Sequence, residues 1–252
     1  MTDISLKTKE EVAIMQEGGV LLGKVKAALK EKVQEGVNAS EVEDLAVELI
    51  KKSGGEASFK MVPGYSWATC ININEGLVHG IPKESVVFKK GDVVSVDVGL
   101  YYKGFHTDTS FTKAIEPDSM TKKFLQAGQE ALEKAIEAVS PGKRIYDISL
   151  AIQETIEKAG HSPIRVLTGH GVGRELHEEP KITCFASGDR AKSPEITEGM
   201  VLAIEVMYCL GSPQVEISKD GWTISMRDGK ISALFEETVA VTSRGPLVLT
   251  EG

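Results

Sequence analysis

Lys90-Gly91-Asp92-Val93-Val94-Ser95-Val96-Asp97 is echoed 108 positions later by Glu198-Gly199-Met200-Val201-Leu202-Ala203-Ile204-Glu205. In both copies a charged residue and a glycine introduce an apolar alternation that ends on a carboxylate. A period of two puts Val94, Val96 and Val98 on one face of a strand and Ser95, Asp97 and Gly99 on the other. The same reading opposes Glu205 to Leu202, Ile204, Val206 and Tyr208. Between Phe105 and Phe111 it sets His106, Asp108 and Ser110 against Phe105, Thr107, Thr109 and Phe111. In the last apolar stretch Leu234, Glu236, Thr238 and Ala240 share a face, and Phe235, Glu237, Val239 and Val241 share the other. Glu237 is therefore expected on the apolar side, at an edge where its charge is solvated or paired.

The repeat extends outward from these strands. Gly36 to Gly54, with Val42, Leu45, Ala46, Leu49 and Ile50, recurs 106 positions on as Gly142 to Gly160, with Ile148, Ala151, Ile152 and Ile156. Both segments read as amphipathic helices closed by glycine, the first with Asn38 or Ser40 as N-cap and Glu43 near its start. Each follows a longer helix, roughly 9–35 and 119–139. Helices that precede strands in each half predict an α+β fold, a curved and mainly antiparallel sheet covered by helices on one face. Residues 1–252 are expected to form one catalytic domain with pseudo-repeat halves of roughly 1–112 and 113–252, and the uncovered face should carry the acids.

Asp97, Asp108, His170, Glu205 and Glu236 are the candidate metal ligands. Carboxylates that converge on a buried face repel one another and lose hydration, and a cation compensates both penalties. Oxygen donors with a single imidazole suit Mn, Fe(II), Co or Zn. Cys70, Cys184 and Cys209 are far apart and odd in number, which excludes a disulfide framework and a thiolate zinc site. Lys and Arg total 29 against 37 Asp and Glu, a formal net charge of −8, so no specific nucleic-acid binding is expected. The dense cationic cluster, Lys7, Lys9, Lys24, Lys26, Lys30 and Lys32, is interleaved with glutamates and reads as a solvated helix face. No apolar run matches a membrane span or secretion signal, and the expected location is cytoplasmic. Gly169 to Gly173 lacks the spacing of a phosphate loop. His106 and His161 read as structural or exposed.

Joined to Val78-His79-Gly80-Ile81-Pro82 and to the stretch from Gly169-His170-Gly171 through His177-Glu178-Glu179-Pro180, the ligand set resembles the methionine aminopeptidases over nearly the whole chain. The resemblance implies the pita-bread fold and two divalent ions, with Asp97 chelating one, Asp108 and Glu236 bridging, and His170 and Glu205 on the other. It implies that Glu205 shuttles a proton, that His177 stabilises the oxygen of the tetrahedral intermediate, and that His79 contacts the substrate near the scissile amide. It further implies that Tyr65, Cys70, Leu176 and Trp222 receive the methionine side chain. The implied partner is the N-terminal Met of nascent polypeptides with a small second residue, met by a monomer in transient proximity to the ribosome. Proline-specific peptidases share the His-Gly-x-Gly and His-Glu-x-Pro elements, and the fold also carries non-catalytic binding proteins. Only 96 residues precede Asp97, and no insertion separates His170 from Glu205, which is similar to the short bacterial type I form. Departures fall at Val62-Pro63-Gly64-Tyr65-Ser66, where the family usually has Tyr-His-Gly-Tyr-Pro, at Glu175 for Gly, at Leu176 for Phe, and at Glu237 for His.

Overall fold

The computed structural model describes residues 4–251. Helices α1 (Lys9–Lys32) and α2 (Ala39–Lys52) precede strands β1 (Glu56–Ala57), β2 (Thr69–Ile73), β3 (Gly76–Val78), β4 (Val93–Tyr102) and β5 (Phe105–Ala114). The second half repeats the order with α3 (Ser119–Glu137) and α4 (Ile145–Lys158). They are followed by β6 (Ser162–Pro163), β7 (Thr168–Gly171), β8 (Glu178–Thr183), β9 (Val201–Cys209), β10 (Val215–Ile217), β11 (Ile224–Met226), β12 (Ser232–Thr242) and β13 (Gly245–Val248). Thr8 caps α1 and Asn38 caps α2, each in a reciprocal capping box. The partner of Asn38 is Glu41. Glu43 instead turns inward and accepts the N–H groups of Ala68 and Thr69. Gly54 and Gly160, at φ 78° and 82°, occupy the left-handed position just past α2 and α4, as their place in the repeat predicts. Helices α1 and α3 stop at Lys32 and Glu137, a few residues short of the expected ends, because the chain turns extended at Val33 and breaks after Ala138.

Strands β1-β4-β5-β12-β9-β7-β8 run across a ten-stranded sheet, with β2, β6 and β13 pairing at its flanks. The ladders are antiparallel. Val94, Val96, Val98 and Leu100 pack under Leu22, Val25 and Leu29 of α1 and Val42, Ala46 and Ile50 of α2. Leu202, Ile204, Val206 and Phe235 pack under Phe124 and Ala131 of α3 and Ile148, Ile152 and Ile156 of α4. The helices therefore cover the face predicted by the alternation, and the α+β pita-bread class holds. The opposite face is not bare. A second sheet, β10-β11-β3, sends Leu77, Val78 and Met226 into the same apolar cluster as Met207 and Leu234, so the acids sit in a pocket rather than on an open surface.

Where the two halves meet, β5 and β12 share the ladder pair Ser110 with Glu236. Hydroxyl groups extend the seam on either side of it. Thr112 Oγ1 accepts from Leu234 N at 3.0 Å and donates to Leu234 O at 2.7 Å, while Thr238 Oγ1 accepts from Asp108 N at 2.9 Å and donates to Asp108 O at 2.7 Å. The two bridges are related by the pseudo-twofold, one on each side of the central pair. Thr238→Val keeps the shape and strands both backbone groups of buried Asp108, which is expected to cost about 2 kcal/mol. A urea midpoint equal to that of the unmodified protein would show that the strands hold together without this bridge.

Candidate metal centre

The sheet register by itself assembles the acids. Cys70 lies opposite Asp97, Asp97 opposite Ser110, Ser110 opposite Glu236, and Glu236 opposite Glu205, which makes one row across β2, β4, β5, β12 and β9. Residues directly opposite in antiparallel strands point to the same face. Asp108 stands two residues before Ser110, and His170 on β7 pairs with Ala203, two residues before Glu205, so both join that face. One donor atom each of Asp108, His170 and Glu236 lies within 4.8 Å of the others. His170 Nε2 is 3.5 Å from Glu205 Oε1, and the same cavity is lined by Asp97.

Without a cation this arrangement is electrostatically unfavourable. Burial pushes the carboxyls of Asp97, Asp108, Glu205 and Glu236 above their ordinary range. Repulsion adds to it, from Asp97 onto Asp108 and Glu205 and from Asp108 onto Glu236. Asp97 Oδ1 and Glu236 Oε1 are buried with no hydrogen-bond partner. His170 Nδ1 donates to the Gly171 carbonyl at 2.8 Å, which leaves Nε2 with its lone pair toward the acids. Burial and the nearby His177 hold its pKa at about 4, so the ring is a neutral donor at pH 7. Orphaned carboxylate oxygens and an oriented, neutral imidazole fit a divalent cation.

The cavity of about 270 Å³ continues from the acids to an apolar end. Tyr65, Cys70, Leu176 and Trp222 all line it, joined by Val62 and by Phe59 and Val78, the last two not expected there from the sequence. Val62 falls in the segment that departs from the family pattern. Phe59 carries no local signal, since it enters from a short 3-10 turn between strands. Tyr65 Oη donates to the Thr69 carbonyl at 2.8 Å, and its ring meets Trp222 edge-on at 5.1 Å between centroids. Burial raises the Cys70 thiol well above its usual pKa, so it presents an uncharged surface. His79 and His177 stand exposed at the cavity mouth, each with a pKa lowered first by surrounding protein, and for His79 also by His177. His79 holds φ 58°, a strained backbone for a residue with a side chain. His177 lies edge-on to His170, with ring centroids 4.6 Å apart.

The remaining polar residues sort by face. Glu237 points to the helix side, where Lys26 of α1 reaches it at 2.5 Å and Thr250 Oγ1 donates to it. Lys26 and Lys7 are buried, which corrects the expectation of a wholly solvated lysine face: both reach inward to carboxylates. His106 is buried, bonded to Ser58 Oγ at 2.9 Å and packed on Tyr101. His161 packs on Phe124. Cys184 and Cys209 are buried thiols. A larger cleft of about 890 Å³ opens between α1 and α3, away from the histidines.

The model of metallopeptidase family M24 matches residues 13–243. Methionine aminopeptidase of Clostridium perfringens is 40% identical over 248 residues, covering 98% of each chain. The crystal structure of methionine aminopeptidase from Thermotoga maritima superposes with a TM-score of 0.96 at 40% identity, covering 99% of this chain and 100% of that one. Prolidase from Pyrococcus furiosus shares the fold at a TM-score of 0.77 and 26% identity, and only 65% of its chain is covered.

Glu236 and Glu237 are neighbours on opposite faces, which makes them a paired test. Glu236→Gln is expected to lower metal occupancy and kcat by several orders of magnitude, whereas Glu237→Gln should leave kcat within about tenfold. The reverse outcome in folded proteins would move the strand register by one residue. A second expectation follows from the raised carboxyl values. Such groups favour folding only while protonated, so their contribution is complete below the unfolded value of about 4 and is lost as pH rises through the folded values. The melting temperature of chelated protein should fall from about pH 5 to about pH 8, with added Mn(II) restoring it most at the upper end. A melting temperature that rises over that interval in chelated protein would contradict the electrostatic account.

Proposed function

The chain belongs to metallopeptidase family M24 and within it to the methionine aminopeptidases, and on that footing we propose that it removes the initiator Met of nascent polypeptides as a cytoplasmic enzyme with a dinuclear metal site, acting when the second residue is small. The observation that carries this reading is one cavity in which the acids and His170 adjoin an apolar end lined by Phe59, Val62, Tyr65, Leu176 and Trp222. Its volume of about 270 Å³ lies just under the range of about 300–1,000 Å³ typical of small-molecule sites. Residues 1–252 act as one catalytic domain, since strands from both halves supply the row of acids. The three buried thiols suit a reducing compartment.

Asp97, Asp108, His170, Glu205 and Glu236 would hold two divalent ions of the Mn, Fe(II), Co or Zn class. Ions held there would lower the pKa of a water and polarise the scissile carbonyl. The chain's own residues do the rest. Phe59, Val62, Tyr65, Cys70, Leu176 and Trp222 enclose an unbranched thioether side chain and exclude water from it. Glu205 takes up the proton released by the attacking water and returns it to the leaving amine. His177, neutral at pH 7 because its pKa is lowered, donates an N–H to the oxygen on which negative charge develops. His79, which lines the same cavity, contacts the scissile amide.

Release of the first residue from Met-Ala, Met-Gly, Met-Leu and Ala-Pro peptides, before and after chelation, tests the proposal. Met-Ala and Met-Gly should be cleaved and Met-Leu poorly, with activity abolished by chelator and restored by Mn(II), Co(II) or Fe(II). Faster release from Ala-Pro would make the chain a proline-specific peptidase. Metal binding without cleavage of any peptide would make it a binding protein on this scaffold.

A further inference from the structure

Lys7 is the most enclosed lysine in an ion pair among the described residues, with 1% of its side chain accessible, and its Nζ lies 2.5 Å from Glu178 Oε2, whose side chain is 9% accessible. Charges this far from water are retained at a desolvation cost, and removal of one partner leaves the other uncompensated. Glu178 immediately follows His177. Its second oxygen, Oε1, accepts the Glu175 N–H at 3.2 Å, so one carboxylate grips both the amino-terminal segment and the turn that leads into His177. Gly173 N donates to Glu175 O at 3.0 Å, and the Gly173 carbonyl accepts from His106 N at 2.7 Å, beside Asp108 on β5. Gly173 passes so close to Lys7 that a Cβ there would overlap the ammonium group. The lysine is anchored in turn: its N–H donates to Gly199 O at 2.8 Å and its Nζ to Ser5 O at 3.1 Å. A second ion pair, Arg174 with Glu11, ties the same turn to the start of α1.

The turn from Gly173 to Glu178 thus has no regular ladder partner over most of its length and is located by charges from the other end of the chain. We infer that Lys7 is a positioning residue, whose ion pair with Glu178 sets where the His177 imidazole stands over the metal centre. This rests on the aminopeptidase reading only in giving His177 its contact with the substrate. Because a misplacement of about 1 Å in a catalytic group can cost about 10²-fold in rate, the pair acts on kcat although neither member touches the substrate.

A double-mutant cycle on the metal-loaded enzyme with a Met-Ala peptide tests it. Lys7→Met should lower kcat by about 10²-fold with KM within about threefold, yet by less than about threefold in a His177→Ala background, because the group it positions is already gone. Losses that multiply, or a drop in melting temperature with kcat intact, would overturn the inference. If Lys7→Met does not fold, Glu178→Gln takes its place, since it keeps the size and the acceptor for Glu175 N–H and removes only the charge. Imidazole resonances supply a readout independent of turnover: either variant should shift that of His177 and leave that of His161 in place. An unmoved His177 resonance overturns the inference. Failure of the unmodified protein to cleave Met-Ala would sink the aminopeptidase reading alone, and the resonances would still decide the role of Lys7.

Discussion

Mutual repulsion among four buried carboxylates is the constraint around which the structure is organised. Asp97, Asp108, Glu205 and Glu236 line one cavity on the same face of the sheet; burial destabilises the charged form of each, and repulsion from the neighbouring acids adds to it for Asp108, Glu205 and Glu236. A row of acids of this kind persists only where backbone pairing fixes the Cα positions so firmly that the side chains cannot spread apart. The ladder from β2 to β9 does that, and its weakest link, the seam between β5 and β12, is strengthened by Thr112 and Thr238 bridging to backbone on either side of the central pair. The instability is directional: it is relieved by a cation and by little else available inside the fold.

Charges outside the centre are treated in the opposite way. Lys26 neutralises Glu237 on the helix side of β12, and Lys7 neutralises Glu178 beside His177. In each case a lysine from the amino-terminal part of the chain crosses a buried layer to reach the residue next to a site residue. Glu237 replaces the histidine usual at that position in the family, and Lys26 is the group that makes the acid tolerable there. Glu178 and Glu237 are each paired with a lysine, while no lysine or arginine pairs with the acids of the centre among the described residues, and this contrast separates the candidate ligands from structural carboxylates more sharply than burial does.

The parts legible in the sequence are those governed by local periodicity. The alternation along Val93 to Gly99 and Leu234 to Val241 assigned Asp97 and Glu236 to one face and Glu237 to the other because a strand has a period of two, and side-chain direction follows from parity alone. The echo of Gly91 to Asp97 in Gly199 to Glu205 revealed the two halves for the same reason. What escaped depends on contacts without local signature. Phe59 reaches the pocket from a turn, the small sheet formed by β3, β10 and β11 is built from three-residue strands, and the partners Lys7 and Glu178 are 171 positions apart. Charge interleaving made the lysines look solvated, since a helix face rich in both signs has the same composition whether one of its members bends inward or not.

The relation between the two kinds of charge explains why this scaffold separates its tasks by strand face. A sheet has two sides, and residues adjacent in sequence belong to different ones. Glu236 and Glu237 therefore stand in different electrostatic environments although their Cα atoms are neighbours: one faces acids, the other faces a lysine. Moving the strand by one residue would bring Glu237 into the centre and place Glu236 against Lys26, exchanging the roles without changing composition. The apolar residues forbid it, since the same shift would turn Phe235, Val239 and Val241 out of the helix-covered core and into the polar cavity. Packing on the helix side thus determines which acid faces the metal centre, and the chemistry of the site inherits its geometry from the hydrophobic register of the strand behind it.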